Sequence, residues 1–543
     1  MDQVNKLGGY LPVSSLERKD LFPVVSIAAA ASIFFASYQF FSSGQNNKQE
    51  YKKIPTPGSR YPYVGHMYSL GAVPGSTIRK WHNELGPIFN LKMGIRNWFM
   101  VDDPVLAQKI FVTNGAKTSF RAHHVFSVDH YSMGGMGLAF SQPDERWKVS
   151  RSAALTVLAP KHIEKYIWTM RQEAKDLVTR FIQSTERKGS VDPSQSLKLF
   201  ALNVMFKIIC GKRFDSTTHP DYKQFQKIVE HNIKNAAWES DTSNFIPIFS
   251  VYEYFFGTLA DQKNFIKIER DPFFRRIIKD ATITEGPNVI KSFVEDEFNL
   301  SEDEILVLTC MCSYNFLLLK VLIEYYISTT AADLILAGLD TVSVSLAWNM
   351  AVMCHHPDIQ KKLAAEIDDF IKVNGHLPDL KEKEKLPYCI CVIKESLRFR
   401  QTAPLGLAHT TREDIYIDGY MFPKNSSIIS SMESMHMRPE LYPDPEKFNP
   451  ERFMGNTKPM QSAANGRLED RDHYNFGWGR RICPGIAMAE AQLFVALVEI
   501  FSRCYVEPTS DGLPDIDNAI HGGLTARPVN YKVKFVQRTD FST

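Results

Sequence analysis

The chain has 543 residues, 44% hydrophobic and 23% charged, which excludes wholesale disorder and implies a large buried core. Its 63 Lys and Arg against 61 Asp and Glu leave a net charge of +2, which excludes a nucleic-acid binder working by bulk charge. Eight cysteines in that length are too sparse for a disulfide scaffold and fit reduced thiols.

The first feature along the chain is Leu21 to Phe41, a run without a charged residue. At ~1.5 Å per residue such a helix spans roughly 30 Å, the hydrocarbon thickness of a bilayer. Tyr38 and Phe40 lie near one end, where aromatic rings favour the membrane interface. Residues 1–44 are therefore predicted as an N-terminal segment with a membrane anchor at about 21–41. Basic residues before the run (Lys6, Arg18, Lys19) balance those after it (Lys48, Lys52, Lys53), so they do not set its orientation. Residues 45–60 read as a polar, Pro-rich linker stiffened at Ile54-Pro55-Thr56-Pro57-Gly58.

Residues 61–543 read as one domain without repeats. Strand-like runs are predicted at Ile88–Met93, Trp98–Val101, Ile415–Ile417 and Ser427–Ser431, and Asp418-Gly419 predicts a hairpin between the last two. Amphipathic helical patterns cover Glu164–Thr185, Pro357–Val373 and Pro387–Phe399, and the Pro-rich stretch Arg438 to Phe453 reads as an irregular, ordered loop. The expected class is mainly α with small β-sheets.

The chemistry is concentrated in Phe476-Gly477-Trp478-Gly479-Arg480-Arg481-Ile482-Cys483-Pro484-Gly485. Gly477, Gly479 and Gly485 let the backbone turn tightly and approach a flat ligand. Arg480 and Arg481 favour a thiolate at Cys483 and can pair with carboxylates of that ligand. A helix starting at Gly485 adds its dipole to the same effect. Upstream, Glu395-Ser396-Leu397-Arg398 puts an acid and a base on one helix face, and Pro450-Glu451-Arg452-Phe453 falls between that helix and Cys483. Ala337-Gly338-Leu339-Asp340-Thr341-Val342 carries a glycine that costs a helix ~1 kcal/mol against alanine, so something needs the space. Trp147 and Arg151 are four residues apart, and His409 precedes Thr410-Thr411-Arg412.

These segments, in this order, resemble the cytochrome P450 family from about Pro55 to the C-terminus. The resemblance implies the cytochrome P450 fold preceded by one transmembrane helix, with haem iron held by Cys483 as the metal ligand. It implies haem contacts from Arg481, Trp147, Arg151 and His409, with Arg121 as a further one, and Phe476, Gly479 and Gly485 in the haem loop. Thr341 and Asp340 would be the catalytic pair of the oxygen-binding helix, Val342 standing where the family commonly has a second Thr. Glu395, Arg398 and Arg452 would form the family's structural triad.

The activity so implied inserts one atom of O2 into an apolar organic substrate: a lipid, sterol, terpenoid or xenobiotic. No G-x-G-x-x-G motif follows a strand, since Gly134-Gly135-Met136-Gly137 has the wrong spacing. Electrons would then come from a separate NADPH-dependent flavoprotein reductase, with or without cytochrome b5. The microsomal class implies a single-pass protein of the endoplasmic reticulum membrane with a cytosolic catalytic domain. A haem-thiolate isomerase or peroxygenase, or a non-catalytic haem-binding membrane protein, are the rival readings, and having both Asp340 and Thr341 favours the monooxygenase.

Ile305 to Ser328 is far more apolar than the family's usual approach to this helix. A single helix from Ser301 to Met350 would run ~75 Å, against a diameter of about 60 Å for a body of this size. Residues 305–328 are therefore predicted as an insertion of the kind a translated retained intron produces.

Overall fold

A computed structural model describes residues 51–236, 240, 242–256, 258–294, 316–456 and 458–539. The predicted anchor at 21–41, the start of the linker and residues 305–315 of the predicted insertion lie outside the described residues.

Helices dominate, and local chemistry sets their ends. The ones used below are α1 (Glu145–Val157), α2 (Ile167–Lys188), α3 (Ser194–Cys210), α4 (Pro220–Ala236), α5 (Asp271–Ile283), α6 (Phe316–His355), α7 (Pro357–Asn374), α8 (Pro387–Phe399) and α9 (Ile486–Arg503). Asp144 caps α1 by accepting the Trp147 amide at 2.9 Å. α7 opens on Pro357 and stops at Gly375, whose left-handed φ of 75° closes the last turn. α6 packs along α3, and α9 along α2. α9, and α6 from Thr330 on, are buried on most sides, as core helices are. Thr330–His355 within α6 is long and apolar enough to cross a membrane, yet most of it is buried in protein. At 40 residues α6 is ~60 Å long.

The strands are β1 (Ile88–Met93), β2 (Arg96–Val101), β3 (His409–Thr410), β4 (Ile415–Ile417), β5 (Tyr420–Phe422), β6 (Ser427–Ser430), β7 (Cys504–Pro508), β8 (Ala519–His521), β9 (Ala526–Pro528) and β10 (Val533–Gln537). The main sheet runs β1-β2-β6-β3, with β2 and β6 parallel and Trp98 opposite Ser427. The expected hairpin between Ile415–Ile417 and the Ser427 run is corrected: β4 turns back onto β5. Asp418 and Gly419 both have positive φ (51° and 83°), the geometry of a two-residue turn, so the strand immediately after must be the partner. That frees β6 to join β2. Arg438 to Phe453 is irregular as expected, ending in the short turn of helix Pro450–Phe453.

Candidate active site

The loop before α9 is held by contacts that its glycines permit. Gly479 has φ 53°, and a Cβ there would lie 2.3 Å from the Phe111 carbonyl oxygen, so this position admits only glycine. The close approach is to backbone, whereas the sequence pointed to a flat ligand. The Cys483 amide donates to the Phe476 carbonyl at 2.8 Å, and Gly485 caps α9 one residue before the helix proper. The Gly485 amide donates to Cys483 Sγ at 3.4 Å. Burial pushes the Cys483 thiol above its ordinary pKa, opposed by that amide and by the Arg151 charge.

Cys483 opens onto a cavity with about 1710 Å³ of space free of protein atoms, open solvent at its mouth included. Phe476, Arg481 and Gly485 share its wall with Ala337, Gly338 and Thr341 of α6, and with Arg121, Arg151 and His409. The fold thus brings together parts of the sequence more than 300 residues apart. Thr341 Oγ1 donates to the Ala337 carbonyl at 2.7 Å, one helical turn back. Asp340 is not among the lining residues, and its carboxylate instead accepts from Thr525 Oγ1 at 2.7 Å. A Cβ on Gly338 would meet the Met205 side chain of α3 at 2.8–3.0 Å, so the space left by the missing side chain is taken up by Met205.

Three guanidiniums border the cavity. Arg121 donates to the Ala139, Leu407 and Ala408 carbonyls at 3.1, 2.9 and 2.8 Å. Arg481 donates to Ser119, Leu138 and Ser141 carbonyls at 2.9, 3.4 and 2.5 Å, and Arg151 to the Ile482 carbonyl. None has a carboxylate at ion-pair distance among the described residues. Burial, then mutual repulsion, lowers the pKa of Arg481 and Arg121, and burial lowers that of Arg151. Guanidiniums do not deprotonate in proteins, so these shifts measure a cost that a bound anion relieves. Trp147, expected to offer a donor here, donates its indole N–H to the Leu138 carbonyl at 3.1 Å and lies outside the cavity wall. Its ring instead supports Arg481, whose guanidinium carbon is 4.2 Å from the ring centre. His409 meets the Thr118 carbonyl through Nδ1 at 2.9 Å, and burial with the Arg121 charge holds its pKa well below the ordinary value. Nδ1 must carry the proton to meet a carbonyl, which leaves Nε2 of the neutral ring as an acceptor.

The Glu–Arg–Arg constellation is assembled. Arg398 grips Glu395 with two bonds of 2.6 and 2.8 Å, and Arg452 Nε adds a third at 3.1 Å. Glu395 and Arg398 are 0% exposed. The Asn449 amide also donates to Glu395 at 2.8 Å, and Arg398 reaches the His436 carbonyl at 3.0 Å. One carboxylate on α8 thereby fastens the irregular loop against the helix.

Sequence reasoning missed Asp333, two helical turns before Thr341 on the same face of α6. It accepts from Tyr131 Oη at 2.7 Å and from the Leu138 and Ala139 amides at 2.5 and 3.3 Å. An acidic residue inside an apolar helical run was the available signal. Burial pushes its carboxyl pKa up, and the three bonds oppose that. Asp333→Ala leaves buried donors unmatched, at about 1–3 kcal/mol each. Amide hydrogen exchange is expected to quicken at residues 131–139, with a lower melting temperature; wild-type exchange there would contradict the latch.

A family model described as Cytochrome P450 matches residues 55–535. Trans-cinnamate 4-monooxygenase of Ruta graveolens is 26% identical over 482 residues, covering 87% of this chain and 90% of that protein. The trans-cinnamate 4-monooxygenase of Glycyrrhiza echinata is 28% identical over 479 residues, covering 87% and 90%. A solved zebra fish cytochrome P450 with progesterone superposes with a TM-score of 0.68 at 22% identity, covering 86% of this chain and all of that one. The site fits the haem this family carries: a cysteine sulfur at a helix start, and buried cations lacking the anion that two propionates supply. Pattern, fold and site agree, and this chain belongs to the cytochrome P450 family, as an oxidoreductase of the monooxygenase class.

Proposed function

We propose that the chain is a haem-thiolate monooxygenase that inserts one oxygen atom from O2 into an apolar organic substrate. The observation that carries this reading is one cavity walled by both the Cys483 loop and the Gly338–Thr341 turn of α6. Haem bound through Cys483 supplies the activation of O2 that no side chain here provides. Arg121, Arg151 and Arg481 would hold its propionates, with His409 Nε2 joining as a donor once a nearby anion draws a second proton onto the ring. Phe476 and Gly485 flank the sulfur, Trp147 braces Arg481, and Gly479 sets the loop's path. Thr341 would offer its hydroxyl to the reacting centre, and Asp340 would move protons behind it. Leu334, Ala337, Val342 and Leu397 give the wall an apolar stretch, which matches a lipophilic substrate.

Electrons would come from a separate NADPH-dependent flavoprotein reductase, with or without cytochrome b5, and Arg480, which is exposed, would help to receive an acidic partner. The anchor at 21–41 would hold the protein on the endoplasmic reticulum membrane, catalytic domain cytosolic, with 45–60 as linker. Residues 305–328 we read as an insertion, which an uninterrupted abundant transcript encoding them would argue against as an intron.

The decisive assay combines purified full-length protein with NADPH, reductase and lipophiles selected by their spectral shift. Product carrying one heavy-isotope oxygen from labelled O2, formed only with reductase, is the expected result. Equal product without reductase, or isomerised product without oxygen, removes the monooxygenase reading in favour of its rivals.

A further inference from the structure

Asp340 and Thr341 are neighbours in sequence, yet they face different parts of the molecule. Thr341 lines the main cavity, whereas Asp340 Oδ2 accepts from Thr525 Oγ1 at 2.7 Å. Thr525 closes the turn between β8 and β9, where the Gly522 amide donates to its carbonyl at 2.8 Å. The far side of that turn is nailed down: the Ala526 amide donates to Thr402, and Trp348 Nε1 of α6 donates to the Ala526 carbonyl, both at 2.8 Å. On the near side, where His521 is paired with Ala526, His521, Gly523 and Leu524 line a second, smaller cavity that shares Arg121 and Leu405–Leu407 with the first.

Asp340 is thus held through Oδ2 by a residue outside the wall that Thr341 lines, so the group that makes that bond fixes how the acid stands behind Thr341. We propose that Thr525 is the positioning residue of Asp340, making the β8–β9 turn part of the proton path of this enzyme; the assignment rests on the monooxygenase reading above. Three observations converge on it. The hydroxyl is the single side-chain partner the structure gives the Asp340 carboxyl among the described residues. Burial pushes that carboxyl's pKa up, and the Thr525 bond, ahead of the Lys198 and Arg527 charges, opposes the shift. Thr525 itself is buried, so water does not readily replace it. A hydroxyl both donates and accepts, so by rotating it can hold the carboxylate in one state and accept from the acid in the other.

The test uses the full-length haem-loaded protein with its reductase and NADPH, and reads peroxide released per NADPH oxidised, without substrate and with dodecan-1-ol as probe. Thr525→Val keeps the volume and deletes the hydroxyl, Thr525→Ser restores it, and Asp340→Asn neutralises the acid. The expected result is a several-fold rise in peroxide per NADPH for T525V and for D340N, no further rise in the double variant, and wild-type partition in T525S. Hydrogen exchange at residues 521–526 gives a readout independent of turnover, and is expected to be faster in T525V and normal in T525S. Wild-type partition in T525V together with faster exchange would show a bond that merely pins the turn, and would overturn the assignment alone. Additive effects in the double variant would do the same. A wild type that oxidises no NADPH with reductase overturns the function proposed above, and this assignment with it.

Discussion

Cys483→Ser protein, reduced under carbon monoxide, is expected to lose the thiolate-type absorption band that the wild type shows under the same treatment. The expectation follows from the surroundings of Cys483 Sγ. Burial alone would keep the sulfur protonated, and only the Gly485 amide and the Arg151 charge favour the thiolate. Cys483 would hold the haem iron through its sulfur, and the Gly485 amide and Arg151 charge would favour the deprotonated sulfur that such a bond needs. Serine offers a harder oxygen with little electron push, so complete loss of the band and of turnover is the expected effect. Among the described residues, Cys210, Cys354, Cys389, Cys391 and Cys504 are buried elsewhere and none lines the cavity, so no other described thiol can substitute. A variant that keeps the wild-type band would put the sulfur ligand elsewhere and dismantle the site as described.

The second large effect belongs to Glu395→Gln. Removing the carboxylate strands Arg398, fully buried, and Arg452, nearly so, each reduced to carbonyl partners. Breaking a buried pair from one side costs about 3–5 kcal/mol, a large share of a domain's stability. The loop from Arg438 to Phe453 is fastened to α8 by this carboxylate, so the variant is expected to lose haem as well as stability. The checks are the denaturant midpoint and the yield of carbonyl-binding pigment. Arg398→Lys is expected to fall between wild type and E395Q, because one ammonium cannot reproduce the two-pronged grip at 2.6 and 2.8 Å. An E395Q protein with wild-type midpoint and pigment would mean the triad contributes neither.

Much of this was legible in the sequence, for identifiable reasons. α8 begins and ends where its apolar spacing and Pro387 say it should. β1 is likewise read at its observed bounds, because a half-buried strand must alternate. The hairpin partner of β4 was misread because β5 is only three residues long, too short to show alternation, while the longer Ser427 run drew the eye. At the site, residue types were readable but directions were not. Trp147 and Arg151 share a helix face, yet the indole's choice of the Leu138 carbonyl over a ligand depends on a loop distant in space. Asp340 and Thr341 looked like one unit, and only the fold reveals that Thr525, nearly two hundred residues later, claims the acid. Asp333 was overlooked because its partners, Tyr131, Leu138 and Ala139, carry no motif.

The uncompensated positive charge of Arg121, Arg151 and Arg481 has a consequence for assembly in the cell. Before haem binds, the newly made polypeptide would hold three buried like charges near one another, so the walls around them are expected to exchange their amide hydrogens faster than in the loaded protein. Cofactor supply then governs how much finished protein accumulates, since chains left empty stay open to proteases for longer.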